Sequence, residues 1–241
     1  MKKTLFAPLA ALLAAIAFTL AAPAARADSS GEFFRAIKSD NASAMQTLLA
    51  RGMDPNTRDE RGRPGLHVAL QDESMHVAEA LLASPRLDVN AQNQVGETAL
   101  MLAALKGRLD LARRLIAMGA HVNKTGWTPL HYAASGGHVP VLELLIEQHA
   151  FIDAQSPNGT TPLMMAAGYG SPEAVQYLLQ QGADTQMRNQ QKMSALDFAK
   201  RYERPDAIRL LSRLPQPARP AAPQSPRASA TRPTLSSDTD R

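Results

Sequence analysis

Apolar positions along this chain come in short helical bursts, and one of them sets the pattern for the rest. It is Gly126-Trp127-Thr128-Pro129-Leu130-His131-Tyr132-Ala133-Ala134-Ser135-Gly136-Gly137-His138. Thr128 can cap a helix by accepting a bond from an orphan N–H, and Pro129 suits the first helical position, where no N–H is needed. Gly136 or Gly137 can turn left-handed and end the helix after about two turns. Leu130 supplies an apolar anchor, while Ala133 and Ala134 are small enough for a neighbouring helix to approach. The pattern recurs with anchors at Leu66, Leu100, Leu130, Leu163 and Leu196, at spacings of 34, 30, 33 and 33 residues. A second apolar helix follows each burst, as over 109–118 and 173–180, and often ends in Gly-Ala, as at Gly119-Ala120 and Gly182-Ala183. A fixed period of helix pairs predicts a stack in which each unit buries its apolar face only against its neighbours.

The five copies, among them Thr161-Pro162-Leu163-Met164-Met165-Ala166-Ala167 and Ser194-Ala195-Leu196-Asp197-Phe198-Ala199, resemble the ankyrin repeat in both signature and period. The resemblance covers residues 31 to about 214. It implies an all-α solenoid of stacked helix pairs with β-hairpin fingers along one edge, and a concave face made by the fingers and the first helices. About six units are expected, at 31–56, 57–91, 92–124, 125–154, 155–187 and 188–214. The first is a degenerate cap whose Phe33 stands 33 residues before Leu66. The second has Gly65 where the family has Pro, and the extra residue in Ser84-Pro85-Arg86 predicts that its second helix ends early. The last has Lys192 in the finger glycine slot and closes the stack. One finger differs. Ten residues separate Asn90 from Leu100, Asp153 from Leu163 and Gln186 from Leu196, but only seven separate Asn123 from Leu130. Three residues are missing from the finger tip before Trp127.

The ends read differently. Met1-Lys2-Lys3, an apolar run over 5–20 and Ala25-Arg26-Ala27 have the layout of a bacterial secretory signal cleaved after Ala27, giving domains at 1–27, 28–214 and 215–241. An uncleaved membrane anchor is the competing reading, against which Pro8 and Pro23 weigh. Residues 215–241 are rich in Pro, Ser, Ala and Arg, and a disordered tail is expected there. Cysteine is absent, so neither a disulfide nor a lipidated cysteine is available. The formal net charge of +4 is carried by the ends: residues 28–214 sum to −1. A nearly neutral repeat domain gives no electrostatic case for nucleic acid.

The chain carries no phosphate-binding glycine loop, paired-histidine metal helix or nucleophile elbow. No cofactor, metal or small-molecule substrate is therefore expected. His67 and His131 sit at the third helical position, where a ring can return the cap's hydrogen bond, while His76, His121 and His149 fit no pattern and are expected on the surface. The family resemblance implies that the residue before each cap (Arg63, Glu97, Trp127, Thr160, Met193) and the pair after each Ala-Ala position face the concave groove. Trp127, Tyr169 and Tyr202, flanked by Leu105 and Met193, then form an exposed partner-binding patch, Trp and Tyr being frequent interface hot spots. The competing reading for Trp127 is packing into the notch left by the short finger. The expected function is a monomeric, non-enzymatic module that binds an unidentified protein in the periplasm. A membrane-tethered scaffold and an enzyme with an unrecognised site are the alternatives.

Overall fold

A computed structural model describes the chain over residues 22–213, with side chains from Ser29 onward. The signal-like segment and the tail expected at 215–241 lie outside the described residues, except that helix α1 begins at Ala22. Twelve helices, with no β-ladder, make up the described residues. They pair as α1 (Ala22–Lys38) with α2 (Ala42–Ala50), α3 (Gly65–Gln71) with α4 (Met75–Leu82), and α5 (Ala99–Leu105) with α6 (Leu109–Ala117). The remaining pairs are α7 (Pro129–Gly136) with α8 (Val139–Glu147), α9 (Pro162–Tyr169) with α10 (Pro172–Gln180), and α11 (Ala195–Arg201) with α12 (Pro205–Ser212). First helices stack on first helices, in the order α1, α3, α5, α7, α9, α11, and behind them second helices pack α2 on α4, and α6, α8, α10 and α12 in succession.

The repeated residues explain the stack. Leu66, Leu100, Leu130 and Leu163 are buried between successive first helices, and Ala103-Ala104, Ala133-Ala134 and Ala166-Ala167 let those helices close up. Leu196 is only half-buried, since among the described residues no further unit stacks beyond α11. Thr161 and Ser194 accept at their helix starts from the backbone N–H of Met164 and Asp197, both at 3.3 Å. Gly137 ends α7 in the left-handed region at φ 73°. Helix α4 has eight residues where α6, α8 and α10 have nine, in keeping with the insertion after it.

The second unit departs from the pattern for a reason in the first. Phe33 is fully buried, and a Cβ placed on Gly65 would lie 2.4 Å from its ring. Only glycine fits at that position, and the proline has moved one residue back to cap α3 as Pro64.

The fingers are minimal hairpins. A backbone bond of the same kind crosses each: Asp59 N–H to Arg63 O at 3.0 Å, Asn93 to Glu97 at 3.0 Å, Ser156 to Thr160 at 3.0 Å and Asn189 to Met193 at 3.1 Å, and the finger at 57–65 adds Gly65 N–H to Thr57 O at 2.9 Å. Their tips are held by side chains that imitate backbone, as Asn93 Oδ1 accepts from the N–H of Val95 and Glu97, and Asn189 Oδ1 from Gln191 and Met193. Lys192 takes the left-handed slot of the last finger at φ 60°. The loop over 123–127 has no such closure, and its Lys124 ammonium is bound to the carbonyls of Thr125 and Trp127. Below the fingers, three asparagines stitch consecutive units. Asn56 donates to Arg86 O and accepts from Asp88 N–H, Asn90 does the same with Gly119 and His121, and Asn123 with His149 and Phe151.

Candidate partner-binding groove

The first helices and the fingers form one wall with an aromatic hollow in its C-terminal half. A cleft of about 500 Å³ lies among Trp127, Met165, Tyr169, Met193 and Tyr202, with Phe198 at its edge. A smaller hollow of about 270 Å³ adjoins it, lined by Leu105, Trp127, His131, Tyr132, Ser135 and Met165. Trp127, Ser135 and Met165 belong to both, so the two are one continuous groove. All five residues singled out in the sequence, Leu105, Trp127, Tyr169, Met193 and Tyr202, line it.

Trp127 stands where the missing finger tip would be. Its ring is half-buried, edge-to-face with His131 at a centroid distance of 5.2 Å, and it borders both hollows. It thus packs in part, as the competing reading required, and still presents surface to the groove. Tyr169 and Tyr202 lean together with centroids 4.4 Å apart and a hydrogen bond between their hydroxyls, yet remain 45% and 38% exposed. Their approach depends on Gly168, where a Cβ would meet the Tyr202 ring at 3.0 Å. Loss of water first, and the bond to Tyr202 second, push the Tyr169 hydroxyl up to about 12, so it stays a neutral donor. Leu105 is 40% exposed at the far end of the groove.

Sequence reasoning missed a column. Tyr132, Met165 and Phe198 each stand two residues after an anchor leucine, where Val68 and Leu102 are buried. Larger residues at this position in the last three units were the available signal; they look like core until the curvature of the stack is known. Tyr132 donates to Glu97 Oε1 at 2.8 Å, and Asn93 donates to Glu97 Oε2 at 2.6 Å, so the carboxylate before the cap of α5 is held by its neighbours. Burial first and Glu97 second push the Tyr132 hydroxyl well above its usual value.

His131 forms the floor, with Nε2 2.9 Å from Thr160 O. A carbonyl only accepts, so Nε2 carries the proton and Nδ1 is the acceptor. Nδ1 lies 2.8 Å from Thr128 Oγ1 and 3.2 Å from Thr128 N–H, the reciprocal cap anticipated for this slot. His67 makes the same forward bond, to Glu97 O at 2.8 Å, but its buried Nδ1 has no partner. The expected cap bond fails there because Pro64 offers neither hydroxyl nor N–H. His76, His121 and His149 are exposed. Among the described residues no three His, Asp or Glu side chains converge as a metal site, and no helix is long and apolar enough to cross a membrane.

A curved stack of helix pairs with an open aromatic groove belongs to the class of solenoid binding scaffolds. The family described as ankyrin repeats (3 copies) matches over residues 33–125, 66–156 and 149–219. The chain belongs to the ankyrin repeat family, whose members generally serve as non-enzymatic protein–protein interaction modules. It is 30% identical over 122 residues to human transient receptor potential cation channel subfamily A member 1, covering 48% of this chain and 11% of that protein. It is 32% identical over 109 residues to ankyrin repeat and SAM domain-containing protein 6 of Rattus norvegicus, covering 44% of this chain and 12% of that protein. The chain thus spans only a small part of these relatives. Among solved structures it is similar to one chain of the complex of the predatory endopeptidase Bd0816 from Bdellovibrio bacteriovorus with immunity protein Bd3460. That likeness has a TM-score of 0.64 at 27% identity and covers 76% of this chain and 98% of that one.

Proposed function

We propose that this chain is exported to the bacterial periplasm and there binds a protein partner in the groove between Leu105 and Tyr202. The carrying observation is the concentration of half-exposed apolar and aromatic side chains on one concave face. Contiguous exposed apolar surface with a polar rim marks interaction sites, and Asn158, Gln191 and Arg201 supply that rim here. The groove offers shape and aromatic contact, with no convergent acid, base or nucleophile to carry out a reaction. Export rests on the layout of residues 1–27.

The likeness to a chain from an endopeptidase–immunity protein complex gives a first class of partner to try, an exported peptidase. Capture from periplasmic extract by the chain, by Trp127→Ala and by Tyr169→Ala tests the groove, with the melting temperature of each variant alongside. The expected result is a melting temperature within a few degrees of the parent and a loss of captured partner of about tenfold or more, as hot-spot truncation gives. Undiminished capture by both variants, or a collapse of stability in both, would sink the proposal.

A further inference from the structure

The tail carries a regular spacing of prolines. Pro217, Pro220, Pro223 and Pro226 are spaced three residues apart, in Pro217-Ala218-Arg219-Pro220-Ala221-Ala222-Pro223-Gln224-Ser225-Pro226. A polyproline II helix has three residues per turn and rises about 3.1 Å per residue, which puts these prolines on one edge about 9 Å apart. The groove runs along the stack, lined by side chains from consecutive units. The hollow between Leu105 and Met165 and the cleft between Trp127 and Tyr202 are adjoining seats along it, sharing Trp127, Ser135 and Met165.

The chemistry also matches. Proline-rich segments dock on aromatic-lined grooves because their low-entropy extended form loses little freedom on binding. Their carbonyls, unpaired within the segment, need donors, and Tyr202, Asn158, Gln191 and Arg201 line the larger cleft. Reach is sufficient. Helix α12 runs back about 12 Å from the end of α11 over its eight residues, Pro205–Ser212, which with the helix spacing leaves Ser212 roughly 16 Å from Tyr202. Residues 214–219 span about 19 Å when extended, enough to bring Pro220 to the edge of the cleft.

We infer that residues 220–226 of the same molecule dock as a polyproline II segment in the groove between Leu105 and Tyr202, so that a partner must displace the chain's own tail. This rests on the groove being a binding surface, but it is tested with no partner present. Trp127 is the only tryptophan of the chain and borders both seats, so its fluorescence reports their occupancy. Acrylamide quenching is measured on the full chain, on a variant with Pro217→Ala, Pro220→Ala, Pro223→Ala and Pro226→Ala, and on a variant that keeps the proline count but breaks the spacing, with Pro220→Ala, Ala221→Pro, Ala222→Pro and Pro223→Ala. All are compared at unchanged helical circular dichroism.

The expected result is that both variants are quenched about twice as efficiently as the parent, and that the parent's shielding is independent of protein concentration. Equal quenching in all three overturns the inference. A rise in the all-alanine variant alone also overturns it, since the spacing would then be irrelevant. Shielding lost on dilution overturns it too, because the tail of another copy would then fill the groove. Failure here together with partner capture lost in Trp127→Ala would leave the groove reading intact.

Discussion

His131 shows how a single side chain can link the groove to the stack and make both sensitive to acid. Burial is the main cause that holds its imidazole down to about 4, against an ordinary value of about 6.5, with the accepting carbonyls of Thr160 and Ala154 opposing it. A proton added to Nδ1 would face the N–H of Thr128, from which that nitrogen now accepts. Because the folded value lies below the unfolded one, the unfolded chain binds more protons between about pH 6.5 and pH 4, and stability falls as pH falls through that window. The full effect is about 3 kcal/mol, at 1.36 kcal/mol per pH unit. His67, also lowered chiefly by burial, adds in the same direction. The lowered carboxylates, Asp40, Asp59 and Asp197 starting from 3.8 and Glu73 from 4.5, act at more acid pH, so the interval from 6.5 to 5.5 isolates the histidines. Urea midpoints measured across that interval should fall in the parent and fall less steeply in His131→Gln. A flat profile in the parent would show that the ring is not held neutral.

Among the elements, α7 is gripped most evenly, since α5 lies on one side of it and α9 on the other. Leu130, fully buried at its first turn, therefore belongs to two interfaces. Leu130→Ala should cost about 2–5 kcal/mol in chemical denaturation. Leu196→Ala, in the same repeat position but half-buried at the end of the stack, should cost about 1–2 kcal/mol. Equal losses would mean that the interior units are not the ones that hold the stack. Helix pairs, anchors and the short finger could be read from the sequence because each is a matter of spacing or of a residue's own conformational preference. The exposure of Leu196 could not, since it depends on whether another unit stacks against α11. The orphaned Nδ1 of His67 escaped for a similar reason: Phe33, more than thirty residues upstream, evicts the proline of Pro64-Gly65 from its usual place. In the groove, the repeat columns yielded Trp127, Tyr169, Tyr202, Leu105 and Met193, whereas Tyr132 and Met165 on the inner helix face carry the same apolar signature as core.

For the molecule as a whole, the bonds between units run along two edges, through the fingers and the loops below them on one side and through the turns that join paired helices on the other, as from Ser74 to Ile37 O, His138 to Leu105 O and Ser171 to Gly137 O. They join residues about thirty apart, so they come into being only once the stack is formed. Arg58 reaches Gln92 O at 2.7 Å and ties the second finger to the third, and Gln190 reaches Asn158 O and Pro157 O, both at 2.9 Å, and ties the fifth to the sixth. Between those two braced pairs stands the loop over 123–127, shorter by three residues, with its one ammonium turned inward on Thr125 and Trp127. Hydrogen exchange in the free chain should find the amides of 124–127 opening more readily than those of Asn93 and Ser156, which close their fingers, because local opening tracks the loss of tertiary bonds. Comparable protection in all three would show the loop to be braced after all. Like a comb with one shortened tooth, the row of fingers is interrupted at Trp127, beside the groove, while α5, α7 and α9 stay packed behind it.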